Sequence, residues 1–197
     1  MRIAEINVSS QGEGVSEALA ETEKLGTDIS LEKKELMHLR LAAEELINIL
    51  KSYNYDLKAL YRAALEERKF ALSLETDVMM TQEMYNELIA VSSKGKNESA
   101  RGFMGRLKEL IGISLLPSEK RPTAMSGLSL SLMSMGSPAG YHSDSESTRW
   151  SLQNYRRNAE DEQIAELEKS IIASIADDIA VAVDGDHVKI TVYKQFR

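Results

Sequence analysis

The sequence predicts an α+β fold, a two-layer sandwich with helices on one face of a mixed or antiparallel sheet. Three observations carry the prediction. Leu31–Tyr53 has no Gly or Pro and repeats apolar residues at steps of three and four. Two pairs of short alternating runs, 59–65 with 69–78 and 179–183 with 188–192, read as hairpins. Helical periodicity fills the intervals between these strand pairs, giving the order β, α, α, β, β, α, α, insert, α, β, β. The 197 residues match roughly one domain at ~150 residues each. The chain therefore reads as a single domain over 1–197 carrying an insertion at 117–148.

The opening strand rests on Ile3, Ile6 and Val8, bounded by Ser9-Ser10-Gln11-Gly12. Val15–Leu25 follows as a weakly amphipathic helix with Ala18, Leu19 and Leu25 apolar, and Gly26 is placed to end it. Ser30 is the candidate N-cap of the long helix, with Lys33 leaving the capping box incomplete. That helix carries Leu36, Leu39, Ala43, Leu46, Ile47 and Leu50 on one side and is expected to lie on the sheet. Phe70, Leu72 and Leu74 alternate with Ala71, Ser73 and Glu75, so Lys69–Val78 reads as a strand, with Ala59–Leu65 its hairpin partner and Glu66-Glu67-Arg68 the turn. Thr81–Val91 reads as a helix, Ser92–Asn97 breaks it, and a helix resumes over about Ser99–Ile111.

Residues 117–148 differ from their surroundings. All three prolines lie there, and Ser alternates with Leu and Met over Ser126–Ser137. Such a stretch reads as a flexible linker, with a functional lid as the other reading, and Trp150 and Tyr155 are placed to pin its far end. Glu162–Ala176 then reads as a helix, and Asp184-Gly185-Asp186 supplies the turn of the closing hairpin. Met79, Met80, Met84 and Met104, with the Met125, Met133 and Met135 group, could make an adaptable partner surface, and for the first four scattered core filling is the favoured reading.

Composition narrows the function. Lys plus Arg is 24 against 31 Asp plus Glu, a net charge of −7, which disfavours nucleic acid as a partner. Cys is absent, which removes disulfides, thiol nucleophiles and thiolate metal sites. No run of ~18 apolar residues is present, so no membrane association is expected. The N-terminus lacks the apolar core of a signal peptide, so a cytoplasmic location is expected.

Chemistry concentrates on the long helix. Glu44 and Asn48 are four apart and lie on one face, one turn from each other. A carboxylate can deprotonate a water or hydroxyl, and an amide oxygen one turn away can help hold Mg²⁺. Further on, Lys94, Lys96, Arg101 and Arg106 are interleaved with Gly95, Gly102 and Gly105. This is either a solvated helix break or a loop whose N–H groups and lysines meet phosphate. It is not a Walker sequence, because Gly95-Lys96-Asn97 lacks the Ser or Thr after Lys.

Ala43-Glu44-Glu45-Leu46-Ile47-Asn48-Ile49-Leu50 resembles the Asn-containing box of the histidine-kinase-like ATPases. That superfamily includes gyrase, heat-shock chaperone ATPases, sensor kinases and the anti-sigma-factor serine kinases. The small anti-sigma kinases place a strand and a helix before the boxed helix, as here. The closing stretch from Leu167 to Phe196 is similar to their last helix and hairpin. The chain also resembles clostridial-type ATP-binding-domain proteins with a Ser-Ser-x-Gly-Lys-Asn stretch, here Ser92–Asn97, followed by Gly-x-x-Gly, here Gly102–Gly105.

The resemblance implies ATP with Mg²⁺, Glu44 as general base and Asn48 as the Mg²⁺ ligand. It makes Asp77 the nearest candidate to read adenine, and Lys94, Gly95, Lys96, Asn97, Gly102 and Gly105 a phosphate-facing segment. Two of the superfamily's motifs are missing. No Asp-x-Gly-x-Gly follows the middle strands, where Asp77-Val78-Met79-Met80 stands instead. The last long helix opens on Glu160-Asp161-Glu162, acids that repel phosphate, in place of a glycine turn. The expectation is a degenerate ATP-binding regulatory protein of bacterial type, of the anti-sigma serine kinase or ATPase kind. The alternative is a non-catalytic interaction module, with a protein partner or a homodimer.

Overall fold

Alternation along the chain governs the first hairpin. In this computed structural model, which describes residues 1–51, 56–79, 81, 103–116, 147–159, 161, 164, 167 and 169–197, Ala59, Tyr61, Ala63 and Leu65 are buried on one strand and Phe70, Leu72 and Leu74 on the next. The described elements are β1 (Arg2–Ser9), α1 (Val15–Asp28), α2 (Lys33–Lys51), β2 (Lys58–Glu66), β3 (Lys69–Asp77), α3 (Phe103–Ser114), β4 (Ser147–Ser151), α4 (Leu152–Asn158), α5 (Ile171–Ile175), β5 (Asp178–Asp184) and β6 (His187–Gln195). The strands hydrogen-bond in the order β1-β2-β3-β6-β5-β4.

The sheet is antiparallel. Glu5 faces Arg62 across β1 and β2, Ala71 faces Ala64 across β3 and β2, and Trp150 faces Val181 across β4 and β5. Between β3 and β6, Val78 N–H donates to Asp186 C=O at 2.8 Å and Phe196 N–H to Arg68 C=O at 3.0 Å. The start of one strand thus meets the end of the other.

The chain divides into two compact units. Met1–Asp77, Ile171–Ile179 and Lys189–Arg197 form the first, and Val78–Ser170 with Ala180–Val188 the second. In the first, α1 and α2 pack on β1–β3 and α5 packs on α2. Leu39, Ala42, Ala43, Leu46, Ile47, Ile49 and Leu50 are the buried stripe of α2. Phe70 closes the other end of this core edge-on against Phe196, centroids 5.7 Å apart.

A buried hydroxyl pair fixes α1 on β2. The Thr22 hydroxyl donates to the Ala18 carbonyl at 2.7 Å, so the Tyr61 hydroxyl, 2.7 Å away, donates to Thr22 Oγ1. Burial pushes the Tyr61 phenol well above its ordinary range. Below pH ~10 both states are protonated and the contribution is complete; above it the unfolded chain ionises while the folded one holds its proton, so stability falls. Tyr61→Phe should cost about 1 kcal/mol near neutral pH. Urea unfolding should show that gap closing between about pH 9 and 11, because only the wild type loses stability through this group. A gap independent of pH would contradict it.

The α1–α2 junction departs from the sequence expectation. Gly26 does not end α1 but lies within it; a Cβ there would meet Leu36 Cδ2 at 2.6 Å and Leu31 Cδ1 at 3.1 Å. It is a packing glycine. Ser30 does not cap α2. It takes φ 56°, its N–H bonds Thr27 C=O and Leu31 N–H bonds Gly26 C=O, the two bonds of a Schellman motif closing α1. The cap of α2 is Glu32, whose carbonyl accepts from Leu36 N–H at 2.9 Å and whose N–H donates to the Glu35 carboxylate at 2.9 Å. This is half of a capping box, two residues later than Ser30 suggests. Arg68, in the β2–β3 turn, reaches this junction and donates to Ile29 C=O and to Glu35.

The second unit holds α3, β4 and α4. Trp150 and Tyr155 are buried, and the Trp150 ring lies 6.0 Å from Phe103 and 6.2 Å from Tyr155. Both rings are core residues, and 117–146 of the insertion that they were expected to pin lie outside the described residues. Strand β4 and helix α4 were not expected; Ser147 and Thr148, assigned to the insertion, belong to β4. Ser151 caps α4, its hydroxyl accepting from Asn154 N–H.

Helix α3 runs on to Ser114, three residues past the expected end. The closing helix is not continuous over Glu162–Ala176. Lys169 and Ser170 are non-helical, Ser170 N–H turning back to Leu167 C=O, and α5 restarts at Ile171. Met79 is 79% exposed and not core. Thr81 apart, the expected helix at 81–91 and the break at 92–97 lie outside the described residues, as do 99–102 and 117–146. Among the described residues no helix is long and apolar enough to cross a membrane.

Candidate functional site

Burial of one stripe of α2 leaves the opposite row, Arg40, Glu44 and Asn48, facing outward. The repeat of four puts these side chains one turn apart in succession. Glu44 is 35% exposed and Asn48 is exposed. The structure thus brings the expected acid–amide pair onto one helix face.

A third and fourth residue join them. Arg40 Nε donates to Glu44 Oε1 at 2.8 Å, and Arg40 Nη1 donates to Glu23 Oε1 of α1 at 2.7 Å. Hydrogen bonds donated to Glu23 and then to Glu44 hold the Arg40 guanidinium above its already high ordinary pKa. Arg40 is therefore a fixed cation beside Glu44, and one oxygen of Glu44 is engaged by it. Sequence reasoning passed over Arg40 and Glu23. The i,i+4 spacing of Arg40 and Glu44 was a usable signal; the partner from α1 was not readable without the packing of the two helices.

The other expected residues sit elsewhere. Asp77 is exposed at the end of β3, next to Val78, whose N–H is held by Asp186. Gly105 is exposed in the first turn of α3. Lys94, Gly95, Lys96, Asn97 and Gly102 lie outside the described residues.

The donor set bears on a metal. Among the described residues no group of three or more His, Asp or Glu could enclose an ion. One amide oxygen at Asn48 and one carboxylate at Glu44 do suit Mg²⁺, which binds through one or two protein oxygens, phosphates and waters rather than a protein cage. The Arg40 guanidinium next to them suits an anionic oxygen rather than a second cation.

Fold and site together define the class: an α+β chain with a six-stranded antiparallel sheet and an acid–amide–guanidinium row on its long helix. No known protein family and no curated protein matches the chain.

Proposed function

We propose that this chain is a regulatory nucleotide-binding protein that takes ATP with Mg²⁺ on the outer row of α2 and turns it over slowly or not at all. The observation that supports it most is the placement of Glu44 and Asn48 one turn apart on an accessible face, with Arg40 fixed beside them. In this reading Asn48 contributes an oxygen to Mg²⁺ and Glu44 is the candidate base, while Asp77, on the strand face turned away from the buried Phe70, Leu72 and Leu74, takes no part in it. The order strand, helix, boxed helix, hairpin, and then a closing hairpin beside β3 is in keeping with the histidine-kinase-like resemblance. Slow turnover follows from the missing glycine motifs and from Glu44 sharing an oxygen with Arg40. Phosphoryl transfer relies on positioning and charge neutralisation, and each of these weakens it.

Thermal unfolding with and without Mg-ATP tests the reading. At ~100 times the dissociation constant the ligand adds ~2.7 kcal/mol, or roughly 5–10 °C for a chain of this length. Asn48→Ala should abolish the Mg²⁺ dependence of that gain, and because Asn48 is exposed the variant should fold normally. No shift at millimolar nucleotide, or an unchanged Mg²⁺ dependence, would refute the assignment. A protein-partner role is the second reading, favoured by the exposed Ile3 and Tyr193 of the sheet face described next.

A further inference from the structure

The second face of the sheet in the first unit carries a self-complementary pattern. The β1–β2 and β2–β3 registers place Ile3, Ala64 and Ala71 in one cross-strand row. The β3–β6 hydrogen bonds from Val78 to Asp186 and from Phe196 to Arg68 add Tyr193 to that row, opposite Ala71. Ile3 is 48% and Tyr193 44% exposed, so the row has two apolar ends and a low centre of alanines.

Next to it a chain of ion pairs crosses the same four strands. Glu5 pairs with Arg62 at 2.7 Å, Arg62 with Glu75 at 3.7 Å, and Glu75 with Lys189 at 2.7 Å. The sign order over β1, β2, β3 and β6 is minus, plus, minus, plus.

We infer that this face is the contact of a symmetric homodimer. The argument is one of charge order. Consider a two-fold axis lying in the contact plane, along the strands, between β2 and β3. It lays β1 over β6 of the second copy and β2 over β3. Glu5 then meets a Lys189, Arg62 meets a Glu75, Ile3 covers a Tyr193, and Ala64 meets an Ala71. Every charge meets its opposite because the sign order is antisymmetric about that midline, as an isologous contact requires. The order minus, plus, plus, minus would set like against like.

The charged pairs are staggered by one row, about 7 Å along the strands. That is within the reach of Arg and Lys, and aligned sheets stack about 30° apart in any case. Net charge points the same way. Copies carrying −7 repel one another, and the ion-pair chain, with two acids and two bases, adds no net charge to the face through which they can approach. The inference is independent of nucleotide binding.

Light scattering of the full chain during size exclusion tests it, with circular dichroism and melting to verify folding. At about 100 µM the expected mass is about 44 kDa, twice the 22.0 kDa of one chain. Ala71→Arg at the centre of the face, and Tyr193→Glu at its exposed edge, should each halve it. Arg62→Glu should also yield monomer, and adding Glu75→Arg should restore the dimer because the antisymmetric order returns. A wild-type monomer at that concentration overturns the inference. So does a dimer that survives both Ala71→Arg and folded Tyr193→Glu, since the contact would then lie elsewhere.

Discussion

Gly14→Ala is expected to lower the stability of the chain by about 3 kcal/mol or more, or roughly 6–12 °C in Tm. Two costs combine. Gly14 is the N-cap of α1 at φ 70°, ψ −11°, a left-handed conformation that costs an L residue about 1–2 kcal/mol. A Cβ there would also sit 2.0 Å from the Asn7 carbonyl oxygen, far inside any contact distance. That oxygen belongs to β1, which is in register with β2 at Leu60, so it cannot retreat without opening the ladder. Moving Gly14 instead would disturb the first helical bond, Ala18 N–H to Gly14 C=O.

Gly12 is the internal control. It also has positive φ, 99°, but a Cβ there meets nothing within 4 Å. Gly12→Ala should therefore cost only the backbone strain, about 1–2 kcal/mol. Urea titration of the two variants measures the difference. Equal losses would mean that the close approach of α1 to β1 is not what holds this corner.

Trp150→Ala is expected to cost about 3–5 kcal/mol in the second unit, the range for truncating a large buried aromatic. Trp150 is 2% exposed and its ring stands between Phe103 of α3 and Tyr155 of α4. Its removal takes one ring contact from each and loosens β4, where the chain leaves residues 117–146. Trp150→Phe retains part of the contact and should recover at least half of the loss. Hydrogen exchange locates the effect: amides of β4 and α4 should lose protection first. A loss below about 1 kcal/mol for Trp150→Ala would show that this cluster is not a core. Trp150 is the single tryptophan, so wild-type fluorescence also reports its unfolding.

Legibility of the candidate site followed the range of the interaction involved. Glu44 and Asn48 share a face because of helix geometry alone, so sequence spacing was enough. Arg40 reaches Glu23 across two helices, and nothing in the spacing of either helix announces that bond. The capping of α2 shows the same limit at short range. Ser30 is a good N-cap by residue type, but the tight close of α1 at Gly26–Leu31 claims it first. The cap then falls to Glu32 with help from Glu35.

Gly26 is instructive in the same way. As a residue type it says helix end; its real reason is the room that Leu31, Leu36 and Leu39 require against α1. The break at Lys169–Ser170 escaped notice because Ile164, Leu167, Ile171, Ile172 and Ile175 keep helical spacing through it. Periodicity measures which residues are apolar, not whether the backbone between them is continuous.

The sequence by itself determined the opening strand, the long helix and both hairpins, because each is set by side-chain alternation or by turn residues only a few positions apart. It also set the charge, the lack of cysteine and the spacing of Glu44 and Asn48. Only the tertiary structure decided that the sheet is antiparallel, that Ser30 closes one helix instead of opening the next, that Arg40 binds Glu44, and that Ile3, Ala64, Ala71 and Tyr193 form one row. Those outcomes depend on which segments meet across long stretches of chain. The free energy that selects such meetings comes from burying whole faces together, a quantity that no local pattern contains.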